Sequence, residues 1–283
     1  MLSKQLTVNE PRHTCKHRGN RAVPAFTQGQ VVATVTSHHI EEASGIAASR
    51  THPGVLYTHN DHGDGPDIYA IDSVTGHRIS TITVNGAHNS DWEDIAYGPC
   101  DAGYCLYIGD TGDTGAKNNI YMIREPASVH SNQHVDVYKQ LHFSWSESDC
   151  ETLLVDPRGE VYIISKVKNQ AAKAAHVPSS AWNSGTTVAL TNTVSLTFHT
   201  ANNDPTGGDL SPNGQELLLV SHHKMFYWNV PNGDVLTALQ TDPIEVPYHD
   251  EPQGEAVCWD ANGQGYFTLS EGKNQPLYYY GRS

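Results

Sequence analysis

Short apolar runs of four or five residues, broken by Gly, Pro, Asn and Asp, recur along the whole chain, and no segment sustains a helical period. One polar-apolar phrase comes back five times: EASGI (42–46), DWEDI (91–95), DCETL (149–153), TGGDL (206–210) and QGEAV (253–257). Its third positions are 44, 93, 151, 208 and 255, so the copies stand 49, 58, 57 and 47 residues apart. A β-branched or aromatic run follows each copy by about a dozen residues: VLYTH (55–59), CLYIG (105–109), VYIIS (161–165), LLLVS (217–221) and YFTLS (266–270). Third runs follow in four copies: IYAI (68–71), IYMI (120–123), MFYW (225–228) and LYYY (277–280). In the third copy this run is blurred between residues 171 and 190, where 171–175 is the one helix-tolerant patch. The triplets Pro157-Arg158-Gly159, Pro212-Asn213-Gly214 and Ala261-Asn262-Gly263 supply turns between first and second runs.

Units of four short strands at this period predict the blades of a β-propeller. Five phrases predict five blades in an all-β domain spanning 31–283, with a sixth blade hidden in 170–200 as the alternative. The last copy has room for only three strands. The early run 31–35 precedes the first copy and is expected to supply the outer strand of blade V, which closes the ring and removes its open edges. Residues 1–30 read as a flexible polar leader. Lys4, Arg12, Lys16, Arg18 and Arg21 without an apolar run do not make a signal peptide.

The inner strand of a propeller blade lines the central channel, and side chains two apart share a face. Positions one and three of the phrase therefore form two layers: Glu42, Asp91, Asp149, Thr206 and Gln253, then Ser44, Glu93, Glu151, Gly208 and Glu255. The ends of the second runs, among them His59, Asn60, Asp61, Asp110, Lys166, His222, His223 and Glu271, are expected at the same end of the channel. Two like charges about 4 Å apart repel by on the order of 4 kcal/mol at an effective dielectric near 20. So many carboxylates in one channel mouth require either raised pKa values or a cation. The expected ligands are Glu93, Glu151 and Glu255 with Glu42 and Asp209. Their oxygens suit Ca²⁺, and His59 or the His222-His223 pair leaves Zn²⁺, Mn²⁺ or Fe²⁺ open. The competing reading has these acids capping strands, pairing with backbone amides or buried lysines, and stapling one blade to the next.

Composition narrows the partners. The 283 residues carry 17 Lys+Arg against 31 Asp+Glu, a net charge of −14, which opposes binding to nucleic acid or an anionic membrane surface. No apolar run is long enough to span a bilayer. Cys100 and Cys105 flank a four-residue turn and read equally well as a hairpin disulfide, which would imply an oxidising compartment, or as free thiols. The stretch 109–115, GDTGDTG, is like half a calcium loop but lacks the glutamate at position 12, so a turn whose Asp side chains cap its own backbone is the expectation. His38-His39 reads as an exposed pair near the site rim. No nucleophile elbow, P-loop or dinucleotide fingerprint is present.

The ordered series E-x-S-G-I, N-D beside His59, D-W-E-D-I-A, Y-I-G-D-T-G-D, D-x-E-T-L, T-x-x-D-x-S-P-x-G and Q-G-E-A-V, over residues 40–280, resembles a family of small, commonly exported and mostly uncharacterised propeller proteins of bacteria and some invertebrates. The resemblance implies a propeller and an exported setting; it carries no reaction and no catalytic residue. A looser likeness is to calcium-dependent propeller lactonases and phosphotriesterases, an analogy of fold.

The functional expectation is a metal-dependent enzyme working at the channel mouth on an ester, lactone or glycosidic bond of a small molecule or carbohydrate. His59 or His222 would serve as general acid or base, with Lys166 or Asp61 orienting the substrate. Polysaccharide lysis is one alternative. Another is a non-enzymatic glycan- or protein-binding propeller with a structural calcium, in which Trp92, Trp145, Trp182 and Trp259 stack on sugars.

Overall fold

The computed structural model describes residues 24–283 except 102, 115–117, 200, 201 and 203. Five sheets build a five-bladed propeller. The inner strands are Ala43–Ala48, Trp92–Cys100, Thr152–Val155, Gly207–Leu210 and Gly254–Trp259, one in each blade from I to V. Every phrase of the repeat thus starts or immediately precedes an inner strand. The second runs become the strands Val55–Asn60, Gly103–Asp110, Val161–Ile164, Glu216–Val220 and Gly265–Ser270.

The blurred third copy resolves without a sixth blade. Ala171–Val177 is its third strand and Thr193–His199 its fourth, in the order inner to outer. The alanines that tolerate a helix are held extended by ladders on both sides, to Val161–Ile164 and to Thr193–His199. Their small side chains suit the crowded space: Ala172, Ala174 and Ala175 are all buried. Propensity yields here to packing on both faces.

Closure of the ring follows the sequence. Gln30–Val35 pairs antiparallel with Gln275–Gly281 as the outer strand of blade V, with Gln30 opposite Tyr279 and Val35 opposite Gln275. The described end of the leader is tied to the propeller as well. Phe26 bridges to Arg282 and is buried against Trp259 and Tyr266, and Thr27 N–H donates to Gly281 O. Residues 1–23 of the expected leader lie outside the described residues. Outer edges are covered elsewhere: Gln133–Asp136 adds in parallel to Arg78–Asn85 of blade I, and Val188–Ala189 to Lys139–Ser144 of blade II.

The core lies between blades rather than in one centre. Five apolar clusters fill the five interfaces. Alternation along a strand sends its side chains into opposite interfaces. Leu217 and Leu219 pack toward blade III with Leu154 and Ile164, while Leu218 and Val220 pack toward blade V with Val257 and Trp259. Both faces of such strands are dry, which explains continuous apolar runs such as LLLV. The inter-run turns place Gly159, Gly214 and Gly263 at φ of 81°, 67° and 68°, a backbone region that favours glycine. Cys100 and Cys105 are joined by a disulfide across the hairpin of blade II. Among the described residues no helix is long and apolar enough to cross a membrane.

Candidate cation site at the propeller hub

The antiparallel register brings the start of each inner strand beside the end of the next. Ala43 stands opposite Asn60, Trp92 opposite Asp110, Thr152 opposite Ile164, Gly207 opposite Val220 and Gly254 opposite Ser270. A residue one or two past the end of the second strand is then fixed by a repeated backbone hydrogen bond. Asp61, Thr111, Lys166 and Glu271 each donate N–H to the carbonyl of the phrase's first residue, Glu42, Asp91, Asp149 and Gln253, at 2.9–3.1 Å. Blade IV departs from the pattern, because His222 N–H donates to the Asp204 carboxylate instead, at 2.9 Å.

Three inner strands carry one extra residue at the phrase's third position. The register slips around Ser44, Glu93 and Glu255. A bulge of this kind kinks the strand and re-aims the inserted side chain. Glu151 stands at the same position of blade III, just ahead of its strand. The outcome is two overlapping trios of carboxylates, Asp61-Asp91-Glu93 and Glu93-Asp149-Glu151, each with ligand-capable oxygens within 4.8 Å of one another. Glu93 belongs to both. Glu255 and Glu271 from blade V stand near enough to act electrostatically on the group and hydrogen-bond to each other. Blade IV contributes no acid at these positions. It has Thr206, whose hydroxyl donates to Gly254 O at 2.9 Å, and Gly208, where a β-carbon would collide with Leu219 and Thr152.

These groups are nearly dry. Relative exposure is 2% for Asp91, 5% for Glu93, 4% for Glu151 and 5% for Glu255. Burial, followed by the Glu151 charge, drives the Glu93 carboxyl far above the usual range. Burial also raises Glu151, opposed by Lys166, and raises Glu255, reinforced by Glu271. Asp149 is lifted to about 6 by burial, with Lys166 pulling the other way. Lys166 Nζ donates to Glu151 Oε1 at 2.6 Å. Burial works against its charge, yet Glu151, Glu255 and Asp149 keep the ammonium protonated. Among the described residues three carboxylate oxygens remain buried without a hydrogen-bond partner: Asp61 Oδ1, Asp149 Oδ1 and Glu151 Oε2.

Residues 109–114 of the GDTGDTG stretch fold onto this cluster. Asp110 Oδ1 accepts Asp91 N–H at 2.9 Å, and Thr114 N–H donates to Asp91 Oδ2. The expected self-capping is replaced, in these contacts, by bonds to the phrase of the same blade. Gly112 lies where a β-carbon would overlap Glu93 Oε1 and Asp91 Oδ2.

Other expected site residues are not members of the two trios. His59 is fully buried, edge-on to Trp92 at 5.6 Å, and its Nδ1 donates to Asn60 O at 2.9 Å. Burial pulls it down to about 4, so it is a neutral interior histidine and cannot exchange protons with a solvent-borne substrate. Asp209 sits at position four, on the opposite parity, and its Oδ2 accepts Trp259 N–H at 2.9 Å. It staples blade IV to blade V, as Asp94 staples blade II to blade III through Leu153 N–H at 2.9 Å. The stapling reading therefore holds for these two acids. Glu42 lines a neighbouring polar cavity of about 310 Å³ with His38, His39, Asn60, His62 and Asp64. His222 is part-exposed, and its Nδ1–H donates to Asp204 at 2.9 Å. Trp92 and Trp259 are core residues and present no face to a sugar.

Asp91 and Asp149 belong to the channel layer in the sequence but not to its expected ligand set. The two-residue spacing D-x-E in DWEDI and DCETL is the signal that pairs each with Glu93 or Glu151.

No family model and no curated protein matches this chain. Among solved structures it is similar to the PQQ-bound form of aldose sugar dehydrogenase from Streptomyces coelicolor. The TM-score is 0.53 at 12% identity, over 92% of this chain and 100% of that one, a likeness of fold.

Proposed function

We propose that this propeller is a divalent-cation-dependent hydrolase whose site is the acidic hub, acting on an ester, lactone or glycosidic bond of a small molecule or carbohydrate. The observation that carries the reading is the set of buried, unpartnered oxygens on Asp61, Asp149 and Glu151 in two adjoining acid trios. A buried polar atom without a partner costs free energy that a cation would recover. The donors are all oxygen, so Ca²⁺, Mg²⁺ or Mn²⁺ fits better than zinc or iron. A cation held by either trio, Asp61-Asp91-Glu93 or Glu93-Asp149-Glu151, would polarise a substrate carbonyl or lower the pKa of a bound water. Of the two histidines expected to serve, His222, oriented by Asp204, is the part-exposed one, and it takes the acid–base role in place of His59. The Cys100–Cys105 bond supports the exported, oxidising setting.

The redox chemistry of the dehydrogenase is not carried over. At 12% identity the likeness is one of fold and brings no cofactor to this hub.

EDTA treatment of the full chain tests the reading. Loss of a cation bound at 100 times its Kd removes about 2.7 kcal/mol, which for a chain of this size lowers Tm by about 5 °C. Added Ca²⁺ or Mn²⁺ should restore it, and Glu93→Gln with Glu151→Gln should be insensitive to both. A melting temperature that ignores EDTA and added cations sinks the proposal.

A further inference from the structure

We infer, building on the cation-centre reading above, that the hub holds two divalent cations with the Glu93 carboxylate bridging them, one shared with Asp61 and Asp91 and the other with Asp149 and Glu151. The geometry that points there is the sharing of Glu93 by two separate oxygen trios rather than one larger ring. Glu93 occupies the bulge of blade II, between Asp61 from blade I and Asp149 with Glu151 from blade III.

The unpartnered oxygens divide between the trios in the same way. Glu151, only 4% exposed, keeps Oε2 free because Lys166 takes Oε1, and Asp149 Oδ1 is free beside it. Asp61 Oδ1 is the free atom of the other trio. One cation among Glu93, Asp149 and Glu151 would leave Asp61 Oδ1 without a partner. One cation among Asp61, Asp91 and Glu93 would strand Glu151 Oε2 and Asp149 Oδ1. Two cations satisfy all three. The Asp91 side chain is preset for its share, since Thr114 N–H holds Oδ2 and the bare backbone of Gly112 leaves room beside Glu93. Two-cation sites bridged in this manner place their ions about 3.5–4 Å apart.

The experiment is a count of bound Mn²⁺ on the full chain, stripped with EDTA, dialysed and titrated, read by equilibrium dialysis together with electron paramagnetic resonance. Two Mn²⁺ per chain with an exchange-coupled spectrum is the expected result. Asp61→Asn should bind one Mn²⁺ and show an isolated six-line signal, and Asp149→Asn should do the same. Glu93→Gln should lose the coupling. A wild-type stoichiometry of one overturns the two-cation inference and leaves the single-cation reading standing. No bound Mn²⁺ overturns both, and the wild-type count decides even where a variant fails to fold.

Discussion

Gly112 backbone lies so close to Glu93 that any side chain there would have to displace the Glu93 carboxylate. The contact links the loop after the second strand of blade II to the acid at the centre of the hub, and its consequence is testable. Gly112→Ala forces Glu93 and Asp91 apart and should cost about 1–3 kcal/mol, as overpacking does in other tight sites. The loss should be larger in the presence of Ca²⁺ than in EDTA, because the displaced oxygens are the ligands. Thermal melts in both conditions check it, and equal losses in the two would separate Gly112 from the cation site.

Asp94 makes a second prediction, at an interface rather than at the hub. Its carboxylate is 1% exposed and accepts Ile95 N–H at 2.8 Å and Leu153 N–H at 2.9 Å. Asp94→Ala leaves the Leu153 N–H buried between two blades with no acceptor, at about 1–3 kcal/mol. Denaturant unfolding should show a lower midpoint, while the bound-cation count stays that of wild type. A changed count would place Asp94 in the hub.

A third prediction concerns pH. Glu251 is buried, with Tyr248 Oη donating to Oε2 at 3.0 Å and Thr268 Oγ1 to Oε1 at 3.2 Å. Burial raises its carboxyl to about 8, from an ordinary value of 4.5. Tyr248, Tyr278 and Tyr280 face it and are themselves pushed upward. The folded state thus keeps a proton that the unfolded chain releases above 4.5. Its contribution is fully present below that pH and is lost as pH rises toward 8, by at most about 1.4 kcal/mol per pH unit. Glu251→Gln should flatten this part of the stability profile, and an unchanged slope between pH 5 and 8 would reject the assignment.

Much of the architecture is legible in the sequence because a propeller repeats one local problem. Each inner strand needs small or polar residues at its start and apolar residues beyond, so EASGI, DWEDI and their relatives mark five equivalent places. Glu93 and Glu151 are reachable by parity alone. The bulges at Ser44, Glu93 and Glu255 are not, because a one-residue register slip leaves no compositional trace. His59 misleads for a related reason. It ends a strand beside polar neighbours, yet the wedge of blade II places Trp92 over it and seals it from water. Asp209 lies one residue from the channel-facing parity, and that step turns a ligand into a staple.

The clasp between Gln30–Val35 and Gln275–Gly281 joins the earliest and the latest of the described strands in one sheet. During synthesis the earlier strand must wait, unsatisfied along its edge, until the ribosome delivers the later one. Ring closure therefore cannot precede the emergence of Gln275–Gly281, and removing either strand opens the same seam.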